Sequence, residues 1–418
     1  MGFDFSVALS GLTTASESIG VTGNNIANSN TTGFKRSTIS FADVFTNSIG
    51  IRLNGAGTAL QFGKGVRVAA TPTNFDQGAV SITDAATNAA IEGNGFFVVA
   101  DAQGAKSYTR AGDFTLDKTG YLVTPSGLRV QGYPATNGVI TSGTSLGDIL
   151  VPIGATEAPV VTTQATLRLN LNAADVTGTS FHGYVTIFDS KGASHKMDVN
   201  FTKTGSGTYN LTAKVDGVDA QLSSNGGALG TAPVALAFDS NGQLTSPNSI
   251  SIAPDSSVLN GANLPAIAMN LKDPSGQGYS TNYNSSSGVA STDQDGYAPG
   301  ELVGLSQSSD QNGELFAVFN NGQRRLLGQL ALATFNSQAS LTRGANNLYI
   351  ETVASGQPSI GTPGSGGRGT VVGASLEQSN VDIATEFTNL IVAQRSFQAN
   401  SRVITTISQT LQELLQIS

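Results

Sequence analysis

Two stretches decide the fold of this chain: FSVALSGLTTASESIGVTGNNIANS at residues 5–29 and VDIATEFTNLIVAQRSFQANSRVITTISQTLQELLQ at residues 381–416. In both, large apolar side chains recur every seven residues, which places them on one side of an α-helix. They are Phe5, Leu12, Ile19 and Ile26 with Leu9 beside them, and Ile383, Leu390, Phe397, Ile404 and Leu411 with Phe387 and Leu414 beside them. Neither helix can bury such a stripe alone, so we expect the two helices to pair with each other and with copies of the chain.

Ordinary core packing within one chain is the alternative explanation for an apolar stripe. A helix over residues 381–416 would be roughly 55 Å long, which is too long to be hidden in a small domain. The sequence also offers no third helix that would close a bundle. Gly11, Gly20 and Gly23 weaken the first helix, each by up to about 1 kcal/mol relative to Ala, so that helix depends on packing. These points favour contacts between subunits.

Composition excludes several classes of function. The chain has 418 residues, enough for two or three domains, and a formal net charge of −8, which makes nucleic acid an improbable partner. It has no Cys, so disulfides and thiolate metal sites are excluded. No stretch approaches the ~18 apolar residues of a membrane span. The first cationic side chain is Lys35, so we expect no secretory signal and export by another route.

Between the helical ends the chain is rich in β patterns. Period-two alternation is clear within residues 91–133, and strand-like runs alternate with Ser, Gly and Asn turns over 147–285. The β character of the first region resumes from residue 300, where Asn320-Asn321-Gly322 predicts a hairpin turn. Residues 355–373 are Gly-rich, and we expect them to be flexible.

The predicted fold class is α+β and predominantly β, with nested, discontinuous β domains and terminal helices that pair as a coiled coil. The domains follow the nesting. Residues 1–30 plus 380–418 form the helical domain, 31–75 plus 355–379 a connector, 76–146 plus 286–354 an inner β domain, and 147–285 an inserted outer β domain. The connector is expected to contain one long hairpin.

Motifs that carry chemistry are weak. Gly143-Thr144-Ser145-Leu146-Gly147 matches a nucleophile elbow, but the required strand and helix are not evident around it. The two His residues, His182 and His195, fit structural roles better than catalysis. Asp293-Gln294-Asp295-Gly296 resembles the start of a calcium loop without its later ligands, so a turn is the better interpretation. We therefore expect no catalytic residue, no cofactor and no metal, and a protein that is not an enzyme.

Two runs near the ends of the chain resemble paired signatures of the bacterial flagellar rod and hook axial family. The first contains Asn28, Thr31, Gly33, Phe34 and Lys35, and the second contains Asn380, Val381, Asp382, Gln394, Arg395, Gln398 and Asn400. Inner segments such as Gly93–Phe97, Tyr108–Phe114, Asp295–Gly300 and Asn346–Thr352 resemble the same family. The resemblance covers nearly the whole chain.

The resemblance implies a subunit of the flagellar hook, an extracellular structure continuous with the basal body. Such a subunit self-assembles into a curved, flexible tube that serves as a universal joint between rod and filament, with its helical ends lining the central channel. The implied partners are other copies of the chain, the distal rod protein, the hook–filament junction protein, the hook cap and the flagellar type III export apparatus. Neither nucleic acid nor membrane insertion is implied.

Two alternatives stay open at this point. A distal rod protein would share both end signatures, but such proteins usually lack a large inserted domain like residues 147–285. An extracellular β-rich adhesin or hydrolase is more remote, since a hydrolase needs a catalytic constellation and the sequence offers none.

Overall fold

The structure is a computed structural model that describes residues 5–45, 63–141, 143, 145–272, 279–308 and 310–417. Within these ranges, the side chains at positions 45, 414, 415 and 417 are not described. The predicted interface residue Leu414 therefore lies outside the described side chains, and residues 46–62 of the predicted connector lie outside the described chain.

Both predicted terminal helices are present. Helix α1 spans Phe5–Ala27 and helix α2 spans Ile383–Ile417. Helix α2 begins directly after Asp382, whose Oδ1 accepts a hydrogen bond of 2.6 Å from the backbone N–H of Thr385. This is the geometry of a helix N-cap, in which a short acidic side chain satisfies a free amide.

Thirty-two strands account for most of the remaining regular structure in the described ranges. The first ten are β1 (Ser40–Phe45), β2 (Gly63–Ala70), β3 (Val80–Ile82), β4 (Ala89–Glu92), β5 (Phe96–Ala100), β6 (Lys106–Thr109), β7 (Thr115–Leu116), β8 (Leu122–Val123), β9 (Arg129–Pro134) and β10 (Gly147–Asp148). The next thirteen are β11 (Thr156–Glu157), β12 (Gln164–Asn170), β13 (Ser180–Phe188), β14 (Ser194–Gly205), β15 (Thr208–Val215), β16 (Val218–Asp219), β17 (Gln221–Ser224), β18 (Val234–Phe238), β19 (Leu244–Ser246), β20 (Ser249–Ala253), β21 (Ile267–Asn270), β22 (Ser280–Thr281) and β23 (Gly288–Gln294). The last nine are β24 (Gly300–Gln307), β25 (Glu314–Phe319), β26 (Arg324–Leu330), β27 (Leu332–Thr334), β28 (Thr342–Arg343), β29 (Leu348–Ile350), β30 (Ser359–Gly361), β31 (Thr370–Gly373) and β32 (Ser375–Glu377).

The chain folds into two compact units. Unit 1 contains residues up to Ile153, Gly304–Ala317 and Arg324 onward, and unit 2 contains Gly154–Val303 and Val318–Gln323. Unit 2 is thus inserted into unit 1, which agrees with the predicted nesting and the predominantly β fold class. Strand β23 pairs along β12, so the contacts of unit 2 extend beyond residue 285. The four-part division given above stays a prediction.

Unit 1 is built around a sheet in which β26, β9, β5, β6, β29 and β28 are successive neighbours. Strand β5 is buried along its whole length, because β6 pairs with one of its edges, β9 and β27 pair with the other, and aromatic rings cover it. Phe96 contacts Phe335 and Tyr349 at ring-centroid distances of 5.8 and 5.5 Å. These rings form the centre of the core of unit 1.

Unit 2 is a β-sandwich. One sheet has the order β17-β20-β21-β12-β22 with β23 on β12, and the other has the order β13-β14-β15-β18-β19 with β16 on β15. Alternate residues of β12 and β14, such as Leu167 and Val199, are fully buried and belong to one hydrophobic core. Polar residues occupy the other face of β14, so period-two patterning determines which face is buried.

The Gly-rich stretch 355–373 is ordered, and the prediction of flexibility is wrong. Strand β30 pairs with β27, and β31 pairs with β4. Gly369 leaves no room for a side chain, since a Cβ there would lie 2.2 Å from the carbonyl oxygen of Glu92. Gly369 therefore permits a close approach between two backbones that a larger residue would block. The predicted turn at Asn320-Asn321-Gly322 is present, with the N–H of Gly322 donating to the carbonyl oxygen of Phe319.

Candidate assembly site

The two terminal helices pack against each other in opposite directions. Near one end of the pair, the position that a Cβ on Gly11 would take lies 2.8 Å from Nδ2 of Asn400. Near the other end, Nδ2 of Asn25 donates to Oε2 of Glu386 at 3.2 Å. Residue numbers therefore rise along α1 where they fall along α2, so the pair is antiparallel.

Most of the buried residues of the two helices are small, and among the described side chains none is one of the large predicted residues. On α1 the buried apolar residues are Ala8 and Ala15, seven residues apart, and Thr22 continues the same row. Among the described side chains of α2, the buried apolar residue is Ala393. Gly11 allows the amide of Asn400 to approach the α1 backbone. Sequence reasoning treated this glycine only as a weakness of the helix, whereas the row of small residues at a spacing of seven was the signal for close pairing.

The predicted interface residues are placed around this small-residue contact. Phe5, Leu9, Ile383 and Phe387 are exposed, with 37%, 55%, 46% and 48% of their surface accessible. The other predicted positions with described side chains are half-buried: Leu12, Ile19, Ile26, Leu390, Phe397, Ile404 and Leu411. A single chain thus leaves much of its predicted stripe uncovered.

Helix α2 continues beyond the described start of α1. Gly11 lies opposite Asn400, and Asn25 lies opposite Glu386. Extending this pairing to the start of α1 places Phe5 opposite the position three residues after Val403. Helix α2 ends at Ile417 and therefore continues for roughly three more turns. Leu411 lies within this extension and is half-buried.

A groove runs along one side of the helix pair. Its volume is about 720 Å³, and it is bounded by both helices and by strands β1 and β2. Strand β2 is held against α1 because the backbone N–H of Val66 donates to Oγ of Ser10 at 3.1 Å. The groove has small residues from both helices along it and larger apolar residues, Phe41 and Val392, at its edges. Both edge residues are exposed, at 49% and 62%.

The base of the helix pair is joined to the β structure by a buried ionic cluster. Nζ of Lys35 lies 2.7 Å from Oε1 of Glu377, and both side chains are fully inaccessible to solvent. Arg110 donates to the other oxygen of Glu377 at 3.4 Å and to the carbonyl oxygen of Gly93 at 2.7 Å. The backbone N–H of Gly78 also donates to Glu377. Burial lowers the pKa of Lys35, and the carboxylate of Glu377 opposes that shift.

The signature residues around this cluster fix the path of the backbone. Gly33 has a φ of +65°, and a Cβ there would lie 2.5 Å from the backbone nitrogen of Ala111. Asn380 accepts from the backbone N–H of Arg36 and donates to the carbonyl oxygens of Asn74 and Asp76. Residues close to both ends of the chain are therefore hydrogen-bonded to one another within a single subunit.

The remaining signature residues divide into two groups. Phe34 is buried under the guanidinium of Arg343, and Thr31 donates to Asn28 within the turn that follows α1. Val381 is half-buried before the N-cap Asp382, whose pKa is lowered by the backbone N–H of Thr385. In contrast, Gln394, Arg395 and Gln398 are exposed on α2, and Asn400 faces Gly11. The first group shapes the subunit, Asn400 belongs to the contact between the two helices, and Gln394, Arg395 and Gln398 are exposed.

Four residues of this region were not singled out from the sequence. Glu377 and Arg110 lie within the segments that carry the family resemblance, but their burial could not be read from composition or period. Asn25 and Glu386 are polar residues within helical stretches, and both are almost fully buried. Glu386 is a charged residue within an apolar helical pattern, and such a residue is seldom buried without a partner. That pattern was the available signal for a buried polar contact between the helices.

The weak chemical motifs have structural roles. Both oxygens of Asp295 are engaged by the backbone N–H groups of Thr163 and Gln164 and by Oγ1 of Thr163. In the stretch that matched a nucleophile elbow, Ser145 is followed by the short strand β10 and not by the helix that an elbow requires. Thr144 of the same stretch lies outside the described residues. Among the described residues, no three His, Asp or Glu side chains cluster in a way that would hold a metal ion.

Both histidines contact carboxylates in unit 2. The ring nitrogens of His195 lie 2.7 Å from Asp216 and 3.3 Å from Asp189. His182 lies on the exposed face of β13, 3.0 Å from Asp198.

Neither helix in the described ranges has the length and apolar character needed to cross a membrane.

Comparison with known proteins gives a consistent result along the chain. Four family sequence models match in order: flagella basal body rod protein at residues 5–35, flagellar hook protein FlgE/F/G D1 domain at 90–164, flagellar basal body protein FlaE D2 domain at 153–297, and flagellar basal body rod FlgEFG protein C-terminal at 372–417. The D2 match coincides closely with unit 2.

Curated relatives match over their full length. The chain is 35% identical to a flagellar hook protein of Escherichia coli, with 99% of both chains covered, and 33% identical to that of Borreliella burgdorferi, with 98% of both covered. A crystal structure of a flagellar hook protein from Helicobacter pylori has a TM-score of 0.52 at 14% identity, covering 70% of this chain and 98% of that one, which supports the fold. From the full-length matches, the ordered domain matches and the paired end helices, we conclude that this chain belongs to the bacterial flagellar hook protein family.

Proposed function

We propose that the chain polymerises with copies of itself into a curved, flexible tube that acts as a universal joint, transmitting torque from the flagellar rod to the filament. Membership in the family makes it an extracellular structural protein of the flagellar hook, attached to the basal body. The observation that carries the proposal is the exposure of large apolar side chains on both terminal helices. Fully burying a side chain of this type contributes about 1.5–3 kcal/mol, so packing between copies is strongly favoured.

The proposed subunit contacts are the large apolar positions of the two helices. Within one chain Ala8, Ala15 and Ala393 are buried, whereas the larger residues are exposed or half-buried, which leaves them for neighbouring copies. We propose contacts through Phe5, Leu9, Leu12, Ile19, Ile26, Ile383, Phe387, Leu390, Phe397, Ile404, Leu411 and Leu414.

In the proposed tube the helical ends line the central channel and the β domains form the outer layers. Torque transmission requires an inner layer that holds, and long apolar seams supply it. Bending requires outer contacts that break and re-form at low cost. The exposed faces of unit 2 carry small polar side chains, as on β14, and small wet contacts suit that requirement.

The proposed partners beyond other copies follow from the place of a hook in the flagellum. They are the distal rod protein, the hook–filament junction protein, the hook cap and the flagellar type III export apparatus. We also propose that the chain has no enzymatic activity, because the family to which it belongs is one of structural proteins.

Electron microscopy of polymers grown from the purified full-length chain tests this proposal. A double variant, Phe387→Lys with Ile391→Lys, places two charges on the exposed apolar side of α2. A matched variant, Thr388→Lys, adds a charge at an exposed polar position of the same helix. We expect curved, bendable tubes from the unmodified chain and from Thr388→Lys, and none from the double variant.

Other results would change the conclusion. Straight, stiff tubes from the unmodified chain would favour a distal rod role, which the two rod-protein matches at the ends of the chain also suit. Normal curved tubes from the double variant would show that the exposed side of α2 does not make the proposed contact.

A further inference from the structure

Five exposed apolar residues of the helix pair lie on the side opposite the groove, whereas Val7 and Val392 are exposed at the groove itself. Nine residues are about two and a half helical turns, so side chains nine residues apart point in opposite directions. Phe387 and Ile391 are exposed, and nine residues after them Ser396 and Asn400 border the groove. We call the exposed set Phe5, Leu9, Ile383, Phe387 and Ile391 the apolar ridge.

Helix α1 repeats this relationship. Phe5 and Leu9 are exposed, and nine residues after them Thr14 and Ser18 border the groove. Since both helices show the same opposition, the ridge occupies one side of the pair and the groove the other.

The ridge and the groove match each other in chemistry and in spacing. Ile383, Phe387 and Ile391 are four residues apart, which spaces their side chains at about 6 Å along the helix. Thr14 and Ser18 in the groove are also four residues apart, so large side chains of one helix can enter gaps between smaller residues of another.

The electrostatics of the groove suit the same occupant. The charged residues that border the groove are Arg36 and Glu386, and they pair with each other at 3.9 Å. The groove therefore presents no unpaired charge to an incoming side chain, and the ridge carries none.

We propose that the ridge of one copy packs into the groove of the next. This inference rests on the proposed self-assembly and specifies its contact. A contact between two different surfaces on opposite sides of a subunit repeats from copy to copy without closing on itself as a dimer does. Each copy then uses its ridge once and its groove once, and the series can grow into a helical polymer.

Disulfide trapping in polymers of the full-length chain tests the contact, because the natural sequence contains no Cys. One variant carries Ile391→Cys on the ridge, and another carries Ser396→Cys in the groove. Two cysteines form a disulfide only when their Cα atoms approach within about 7 Å. After oxidation, we expect crosslinked dimers in polymers grown from the mixture and only background in polymers of either variant alone.

The double variant Ile391→Cys with Ser396→Cys gives a sharper expectation. If ridge meets groove in a continuing series, oxidation converts the polymer into a ladder of multimers. Thr388→Cys replaces Ile391→Cys as the control, and its mixture with Ser396→Cys should stay at background. Phe387→Cys mixed with Ser18→Cys tests the same contact if either first variant fails to polymerise.

Three results would overturn the inference. Dimers in a polymer of a single variant would indicate a like-with-like contact, and background crosslinking in every mixture would exclude the contact while leaving self-assembly intact. Failure of the unmodified chain to polymerise would instead remove the proposed function, and this inference with it.

Discussion

Lys35 and Glu377 form a fully buried ion pair, with Nζ and Oε1 2.7 Å apart, although the two residues lie near opposite ends of the chain. Arg110 shares the same carboxylate at 3.4 Å. Two buried cations thus depend on one anion, and the attachment of the terminal helices to the β structure depends on all three.

Glu377→Gln should destabilise unit 1 strongly, by about 3–5 kcal/mol, because it leaves Lys35 and Arg110 buried without a countercharge. Urea unfolding of the full-length monomer measures the loss. Lys35→Met should cost less, since Arg110 still pairs with Glu377. The surface pair Lys214–Asp219 provides the control, and Asp219→Asn should change stability by less than about 1 kcal/mol. A larger loss of unfolding free energy for Lys35→Met than for Glu377→Gln would contradict the view that both buried cations depend on the Glu377 carboxylate.

Gly33→Ala should destabilise unit 1 by more than the usual cost of placing Ala at positive φ. At Gly33 a Cβ would meet the backbone of Ala111 at 2.5 Å, and a backbone contact cannot rotate away. Gly127 is the matched control, because its φ is +83° and no atom lies within 4 Å of an added Cβ. Gly127→Ala should cost about 1 kcal/mol. Equal unfolding midpoints for the two variants would show that the backbone around Gly33 and Ala111 shifts enough to accommodate the added Cβ.

Gly11→Leu should separate the terminal helices, because its side chain would occupy the place of the Asn400 amide. Circular dichroism at 222 nm should report lost helicity. Gly20 lies on the same helix with open space around it, so Gly20→Ala should instead stabilise α1 by up to about 1 kcal/mol. Unchanged helicity in Gly11→Leu would argue against close pairing at this position.

The stability of unit 2 should depend on pH through His195. Burial disfavours the charged ring, but hydrogen bonds to Asp216 and Asp189 outweigh it and raise the pKa of His195 above 6.5. A raised histidine pKa stabilises the fold fully below the unfolded value, and the gain is lost as the pH rises through the folded pKa. Burial disfavours the charged forms of Asp189 and Asp216, but hydrogen bonds outweigh it and lower both pKa values. These hydrogen bonds come from the backbone N–H of Ala193 and from His195 at Asp189, and from His195 and the backbone N–H of Lys196 at Asp216, so this contribution is lost on acidification.

Denaturant midpoints of the full-length monomer between about pH 5 and pH 9 test this expectation, since that range brackets the ordinary histidine pKa. His195→Gln should remove most of the decline above neutral pH. His182→Gln, at an exposed position beside Asp198, serves as the control and should preserve the decline. A profile that does not change in His195→Gln would assign the dependence to another group.

The helices, the β-rich middle and the nesting of one unit inside the other were accessible from the sequence, because each follows from a period or a change in composition. The strands in 355–373 were not, because their pairing with β4 and β27 is set by distant residues. The same holds for the contact between the helices. Leu12 and Ile19 were predicted because of their size, whereas Gly11 is the residue that lets Asn400 of α2 approach, and Ala8 and Ala15 are the buried apolar residues of α1.

At the candidate site, the exposed apolar positions were predictable and the ionic cluster was not. Lys35 looked like an ordinary basic residue after a turn. Its burial depends on Glu377 and Arg110, which are distant in sequence, and no local pattern brings the three together.

The antiparallel pairing of α1 with α2 also has a consequence for incomplete chains. A polypeptide that stops before residue 383 contains α1, unit 2 and most of unit 1, but it has nothing to cover Ala8, Ala15 and Thr22. It also lacks the apolar ridge of α2. Such a fragment cannot complete its own helix pair, and of the ridge it keeps only Phe5 and Leu9. If the proposed polymer forms through these helices, we expect unfinished chains to be left out of it, so that the growing structure selects for complete subunits.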